Sequence, residues 1–225
     1  MNLLQLAQRL RLEVGASGTD STVDSATGEW QRLVTWCNAA WEEIQRRHTT
    51  WNWMRQSVSF STIASQGEYA YASAPLSITS FASWDVTRFR VYKTSIGNEN
   101  FMTFMPYDRF IDTYRIGTTR TAEGYPNVIT VSPTNSLLVS LIPADTSYTI
   151  SGTYYKGVQT LSSDTDTPEM PDRFHMAIVY LAMQYYAMWE SAPEVMVRGK
   201  SMFGRMIVQL ENDQLQLVTT NRDSF

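Results

Sequence analysis

From Phe174 to Ser191 the chain reads FHMAIVYLAMQYYAMWES. Wound as an α-helix, it places Phe174, Ile178, Leu181, Tyr185 and Met188 on one face. Met176, Val179, Tyr180, Met183 and Tyr186 fill much of another. A helix apolar on two sides is covered on two sides, by its own fold or by a neighbouring subunit. Its apolar stretch, Met176 to Trp189, is fourteen residues interrupted by Gln184, whereas a membrane span needs about 20. Pro168 or Pro171 opens the segment, since proline is tolerated only in a first helical turn. Pro193 starts a further helix whose stripe is Val195, Met202, Met206 and Leu210.

The other end of the chain has the same period. Leu3, Leu6, Leu10 and Val14 form one helical stripe, and Gly15 and Gly18 stop it. A polar loop, Ala16 to Thr27, leads to a second helix over roughly Glu29 to Thr49. Its apolar face is Trp30, Leu33, Val34, Cys37, Trp41, Ile44 and His48. Thr27 is placed to cap its start, and Arg46 and Arg47 complement the dipole at its end. Trp51 and Trp53 then cover what lies beyond.

Between about Arg55 and Gln159 the period changes to two. Val58 and Phe60 alternate with serines, Phe89 and Val91 with Arg88 and Arg90, and Tyr148, Ile150, Gly152 and Tyr154 with Thr149, Ser151 and Thr153. Val128–Val131 and Leu137–Ile142 read as more fully buried strands. Five of the eight prolines fall in this section, mostly between strands, where they break pairing. A short helix near residues 107–116 follows Pro106 and stops at Gly117. The expected fold class is therefore α+β: a helical bundle from the N- and C-terminal helices with an inserted antiparallel β domain. Its boundaries fall at residues 1–54, 55–160 and 161–213, with an extended tail over 214–225.

Composition bounds the chemistry. The 225 residues, 43% of them hydrophobic, build a substantial core, and the net charge of −4 argues against electrostatic nucleic-acid binding by the chain as a whole. A single cysteine rules out an internal disulfide. At the N-terminus the apolar run comes first, with Arg9 and Arg11 inside it, the reverse of a signal peptide. These features read as a soluble protein kept inside the cell that makes it, with no membrane partner. No G-x-G pair and no G-x-S-x-G elbow occurs, and the two histidines, His48 and His175, are far apart. The reading is thus of no catalytic residue, no metal ligand and no cofactor.

Three features could still carry chemistry. Cys37, mid-helix on an apolar face, reads as inert core. The run from Asp164 to Asp172 could hold a divalent ion or serve a small hydrolase, but lacks the glycine and terminal glutamate of a calcium loop. It reads as a solvated loop near a helix N-terminus. Trp84, alone of seven tryptophans in the β section, could present a sugar, giving a carbohydrate- or receptor-binding module as the alternative function. Trp36 points away from the Trp30–Cys37–Trp41 stripe and needs a second partner surface. Fifteen of the eighteen basic residues are arginine, which suits interfaces. From Thr121 to Asp172 the only base is Lys156 against six acids, so that section should not hold a phosphate backbone.

The stretches LAQRLRLEVGASG, GEWQRLVTWCNAAWEEIQRRHTTWNWM, MPDRFHMAIVYLAMQYYAMWESAPEV and QLENDQL, in that order, resemble the head-to-tail adaptor proteins of tailed bacteriophages. The likeness covers about the first and last fifty-five residues. It implies a structural virion protein of the neck, assembled in the host cytoplasm. Such adaptors form a ring, commonly a dodecamer, between the portal protein and the next neck or tail protein. Genome DNA passes non-specifically through the lumen, and no reaction is catalysed. The resemblance further implies that a C-terminal extension reaches the portal. By position this places Leu215, Leu217, Val218 and Phe225 as its apolar anchors. Trp36, Met176, Val179, Tyr180, Met183 and Tyr186 are the expected subunit interface.

Overall fold

The computed structural model describes residues 1–17, 22–93 and 97–215. The chain divides into two units, one formed by Met1–Met54 with the chain from Val158 onward, the other by Arg55–Gly157. The fold is α+β, with five α-helices and two mainly antiparallel sheets among the described residues.

The first unit is helical. Helix α1 (Leu3–Val14) opens with a reciprocal cap. Gln5 N donates to Asn2 Oδ1 at 2.9 Å, and Asn2 N to Gln5 Oε1 at 3.0 Å. It closes at Gly15, whose φ of 72° is the left-handed conformation glycine adopts without strain; Gly18 lies outside the described residues. Helix α2 (Gly28–Arg47) buries Trp30, Leu33, Cys37, Ala40, Trp41 and Ile44. Thr27 stands at its N-cap with extended backbone, but its side chain makes no cap bond, so the expected cap is not formed. His48 stands at the C-cap and is only half-buried.

Helix α4 (Met176–Glu190) packs against α1, α2 and the final helix α5 (Pro193–Gln214). It buries Ala177, Ile178, Val179, Leu181, Ala182, Met183 and Ala187. Burying each large side chain in that set stabilises the fold by roughly 1.5–3 kcal/mol. Apolar periodicity thus places Ile178 and Leu181 correctly in cover, whereas Met188, expected on the same face, is 72% exposed, and Val179 and Met183, expected at a subunit interface, are buried within the unit. A turn over Asp172–Phe174 precedes α4, following Pro171.

Helix α5 presents a different stripe from the expected one. Gly199, Phe203, Ile207 and Leu210 are buried, whereas Met202 is exposed. The reason is close approach: a Cβ on Gly199 would stand 3.0 Å from the carbonyl oxygen of Tyr180 and 3.3 Å from Met183 Cβ. The two helices meet backbone to backbone, which a pattern of large side chains does not reveal. The helix extends to Gln214, four residues past Leu210, where the expected stripe ends.

The segment between Gly157 and α4 is tied to α2 by two side-chain amides. Asn38 Nδ2 donates to Leu161 O at 2.8 Å while its Oδ1 accepts from Leu161 N at 3.0 Å. Gln45 repeats the arrangement on Gln159, at 2.9 and 2.8 Å. Further along, Leu3 N donates to Asp166 O at 2.8 Å and Val23 N to Asp164 Oδ1 at 2.6 Å. His175 is fully buried at the start of α4. Its Nε2 lies 2.9 Å from Met170 O, so Nε2–H donates, and Nδ1 accepts from the Met1 amino group at 2.6 Å.

The second unit holds both sheets. One has the order β1 (Arg55–Ser61), β8 (Tyr148–Tyr155), β3 (Ser83–Lys93), β4 (Asn98–Phe101), antiparallel throughout. The other runs β2 (Glu68–Tyr69), β7 (Leu137–Val139), β6 (Val128–Val131), β5 (Thr103–Phe104). Here β5 lies parallel to β6, which corrects the expectation of a wholly antiparallel domain. The chain between them, including α3 (Tyr107–Tyr114) and a turn at Gly117–Thr121, supplies the crossover that a parallel pair requires. Arg115, not Gly117, ends α3. β7 is shorter than the expected Leu137–Ile142.

Phe60, Phe89, Val91, Ile129, Leu137 and Ile150 form the centre of a core joining the two sheets. Gly152 is required there, because a Cβ would stand 2.5 Å from the Phe89 ring. Arg115 fastens the β7 end by donating to Val139 O at 2.7 Å and Ser140 O at 3.2 Å.

Two predictions test this account. Gly199→Leu drives a side chain into the α4 backbone and should lower stability by roughly 1–3 kcal/mol, as overpacking does; an unchanged denaturant midpoint would contradict the close approach. Burial holds the His175 imidazole below its ordinary value, with the nearby amino terminus acting in the same sense. A depressed histidine means that the unfolded chain binds more protons across that window. Stability is then complete above about pH 6.5 and falls as the pH is lowered through the window. Urea midpoints between about pH 7 and pH 5 should therefore decline, and decline less in His175→Gln, which keeps a donor for Met170 O.

Candidate functional site

The side chains that could suggest catalysis are occupied by the fold. Cys37 is fully buried, and burial pushes its thiol up to about 12, leaving no reactive thiolate near neutral pH. His48 Nε2 lies 3.1 Å from Glu211 Oε1, joining α2 to α5, and its ring stands edge-on to Trp51. His175 is spent on the contacts at the head of α4.

The acidic run is a brace. Asp166 Oδ2 accepts from Ser162 N at 2.7 Å and Ser163 N at 2.9 Å, and Oδ1 from Ser163 Oγ at 2.6 Å. Those bonds hold its carboxyl far below the usual range. The loop offers carbonyls to the first turn of α1, and the Asp164 carboxylate accepts from Val23 N, so the first two acids of the run hold the fold together. Among the described residues no cluster of three or more histidine, cysteine or acidic side chains could hold a metal ion.

Trp84 cannot serve as a sugar platform. It is 7% exposed, packs on Phe81, Phe89 and Tyr154, and donates its indole N–H to Asn135 O at 2.8 Å. A lone tryptophan in a β section fits an open platform and a core residue equally well from sequence, and packing chose the core.

What remains is surface on the helical unit. Trp36 meets the edge of Tyr186 at a centroid distance of 5.9 Å, so α4 supplies part of the second surface it needs. Trp36, Ala39, Tyr185, Met188 and Trp189 line an open apolar groove between α2 and the end of α4. Trp189 is 59% exposed, with Arg32 stacked 4.6 Å from its ring centre. Tyr185 fixes the wall by donating to Glu43 Oε2 at 2.5 Å, and burial, together with this bond, raises its phenol. A second apolar groove follows one side of α5 and is lined by Pro193, Val197 and Met202, among others. Arg198, also on its wall, pairs with Glu13 of α1.

The residues expected at a subunit interface separate on this surface. Trp36 and Tyr186 stand at or beside the first groove, and Met176 and Tyr180 are half-buried. Val179 and Met183 are fully buried within the unit and cannot meet another chain. They were assigned outward because the second apolar face of α4 admitted either cover, and the packing of α1, α2 and α5 supplies it from within. Met188 and Val197 carry the exposed apolar surface that sequence reasoning missed; their signal was an apolar residue beside Trp189 and an off-stripe valine on α5. Of the expected portal anchors, Leu215 forms the C-cap of α5 and is half-buried. Leu217, Val218 and Phe225 lie outside the described residues.

No helix among the described residues is long and apolar enough to cross a membrane. A comparison with curated proteins returned no match. The family profile described as "SU10 adaptor protein" matches residues 1–223, nearly the whole sequence. With that extent of match, and with a helical unit whose open features are apolar grooves, the chain belongs to the SU10 adaptor protein family, a family of bacteriophage head–tail adaptors.

Proposed function

We propose that copies of this chain assemble as a ring, probed first as a dodecamer, between the portal and the downstream neck or tail proteins, with genome DNA passing through the lumen. In this reading the helices of residues 1–54 and 161–213 form the bundle that builds the ring. Residues 55–160 are its β insertion, and 214–225 the extension that seeks the portal. The protein is a structural component of the virion neck and catalyses nothing.

The observation that carries the proposal is the pair of apolar grooves on one helical unit, at α2/α4 and along α5. A ring needs a heterologous contact, in which two different patches of one subunit meet their complements on its neighbours. Large apolar side chains in the open, here Met188 and Trp189 at the first groove and Val197 at the second, at 59–72% exposure, mark such surfaces. The net charge of −4 suits a channel through which DNA slides without adhering.

Native mass measurement of the chain, alone and mixed with portal rings, tests the proposal. A species of roughly twelve copies, free or added to the portal, is expected; a monomer that ignores the portal contradicts it. Trp189→Asp should keep the fold, since the side chain is largely exposed, yet abolish the ring. Ending the chain after Gln214 leaves α5 whole and removes Leu215, Leu217, Val218 and Phe225. That variant should capture portal more weakly, and unchanged capture would remove the extension from the proposal.

A further inference from the structure

The outward face of the β1–β8–β3–β4 sheet carries chemistry that its core does not need. Period-two alternation sends Phe60, Val91 and Ile150 inward. The alternate positions, Ser57 and Ser59 on β1 and Ser151 and Thr153 on β8, stand across from one another in register. Their small side chains floor an open trough walled by Arg55, Arg88 and Arg90, with Phe101 at its margin.

The three arginines are not equivalent. Arg55 Nη2 holds Asp85 Oδ2 at 2.7 Å, and Arg90 Nη1 approaches Glu99 Oε1 at 3.3 Å. Arg88 pairs with no acid among the described residues and is exposed. The β3–β8 register shifts between Asp85 and Arg90, so Arg88 falls in the irregular part of the strand, where a bulge re-aims side chains. Phe101 is 71% exposed on the edge strand β4. An exposed aromatic ring, an unspent guanidinium fork and a hydroxyl floor therefore share one trough.

We infer that this trough docks a segment of a partner protein in which a carboxylate side chain stands next to an aromatic one. The neighbouring arginines each hold a carboxylate through one Nη, and the unpaired fork of Arg88 is able to grip a third at two points. Phe101 gives the adjacent side chain an apolar surface to cover; Ser59 and Ser151 bond to each other and Thr153 to Asp85, so Ser57 supplies the hydroxyl for polar groups brought with it. A nucleic acid fits less well. Asp85 and Glu99 are paired with two of the three cations, no lysine lines the trough, and a phosphate backbone is held by many unpaired cations. The inference does not depend on ring formation, because every residue in it belongs to the β unit of one chain.

The test is a titration of the full-length protein with the capped tripeptide acetyl-Asp-Phe-Glu-amide, followed by NMR of the arginine side-chain N–H signals. Its neutral twin, acetyl-Asn-Phe-Gln-amide, and a short DNA duplex serve as competing probes. The acidic peptide should saturate and move the Arg88 signal more than those of exposed arginines elsewhere. Affinity should fall roughly tenfold with the neutral twin and with Arg88→Ala, the scale of a lost charge-assisted bond. Arg88→Lys, which keeps the charge and loses the fork, should fall between, and Phe101→Ser should also weaken binding. Both side chains are exposed, so these variants retain the fold. Absence of saturation, equal binding of the twin, or full binding by Arg88→Ala overturns the inference. Displacement of the peptide by the duplex in an Arg88-dependent manner overturns it too and assigns the face to nucleic acid.

Discussion

Two side-chain amides set the course of the chain after its hundred-residue excursion through the β unit. Asn38 and Gln45 are seven residues apart on α2 and so share a face. Each presents a donor and an acceptor to the backbone of the incoming segment, at Leu161 and Gln159, in the manner of a neighbouring strand. Gln45 is 2% exposed. A buried amide without partners is destabilising, whereas one satisfied at both ends fixes register. The carbonyls of the following loop then meet the first turn of α1, and α4 packs against α1, α2 and α5.

Seen from that constraint, α4 has little freedom. It is apolar nearly all round because α1, α2 and α5 cover it along most of its length, and Gly199 lets α5 approach to backbone contact. Only at its C-terminal end, past Ala187, does that cover stop, leaving Met188 and Trp189 in the open. Folding therefore accounts for the apolar residues up to Ala187 and not for those beyond. That division separates the apolar residues the fold uses from those it leaves in the open.

Much of this was legible in the sequence wherever one period dominated. The stripes of α1 and α2, the start of α5 at Pro193, and the alternation around Phe89 and Ile150 needed only spacing. The failures share a cause, which is that contact partners are not encoded in period. Val179 and Met183 look outward until three helices are placed around them. Trp84 looks available until Asn135 accepts its N–H. The stripe of α5 turns on Gly199, a residue whose value lies in the side chain it lacks. The parallel β5–β6 pair went unseen because strands of two and four residues carry too short a pattern to show direction. The acidic run from Asp164 to Asp172 was legible in composition but not in role, since its use as a brace depends on Val23 and Leu3, more than a hundred and forty residues away.

The exposed end of α4 is tempered by a neighbouring charge. Trp189 is not a bare ring: Arg32 of α2 lies over its face, keeping a charge and its hydration beside an otherwise apolar surface. Such a contact contributes about 0.5–1 kcal/mol at an exposed site, modest against the gain from burying an indole on a neighbour. The guanidinium therefore shields the ring before assembly without locking it there. A partner that supplies apolar cover needs only to keep the Arg32 stack or displace it at small cost, and Trp36, Tyr185 and Met188 already shape the rest of the groove. Preformed walls reduce the ordering entropy that association must overcome. The fold beneath this surface rests on other residues, so any assembly through it, as proposed above, would draw chiefly on the area it buries.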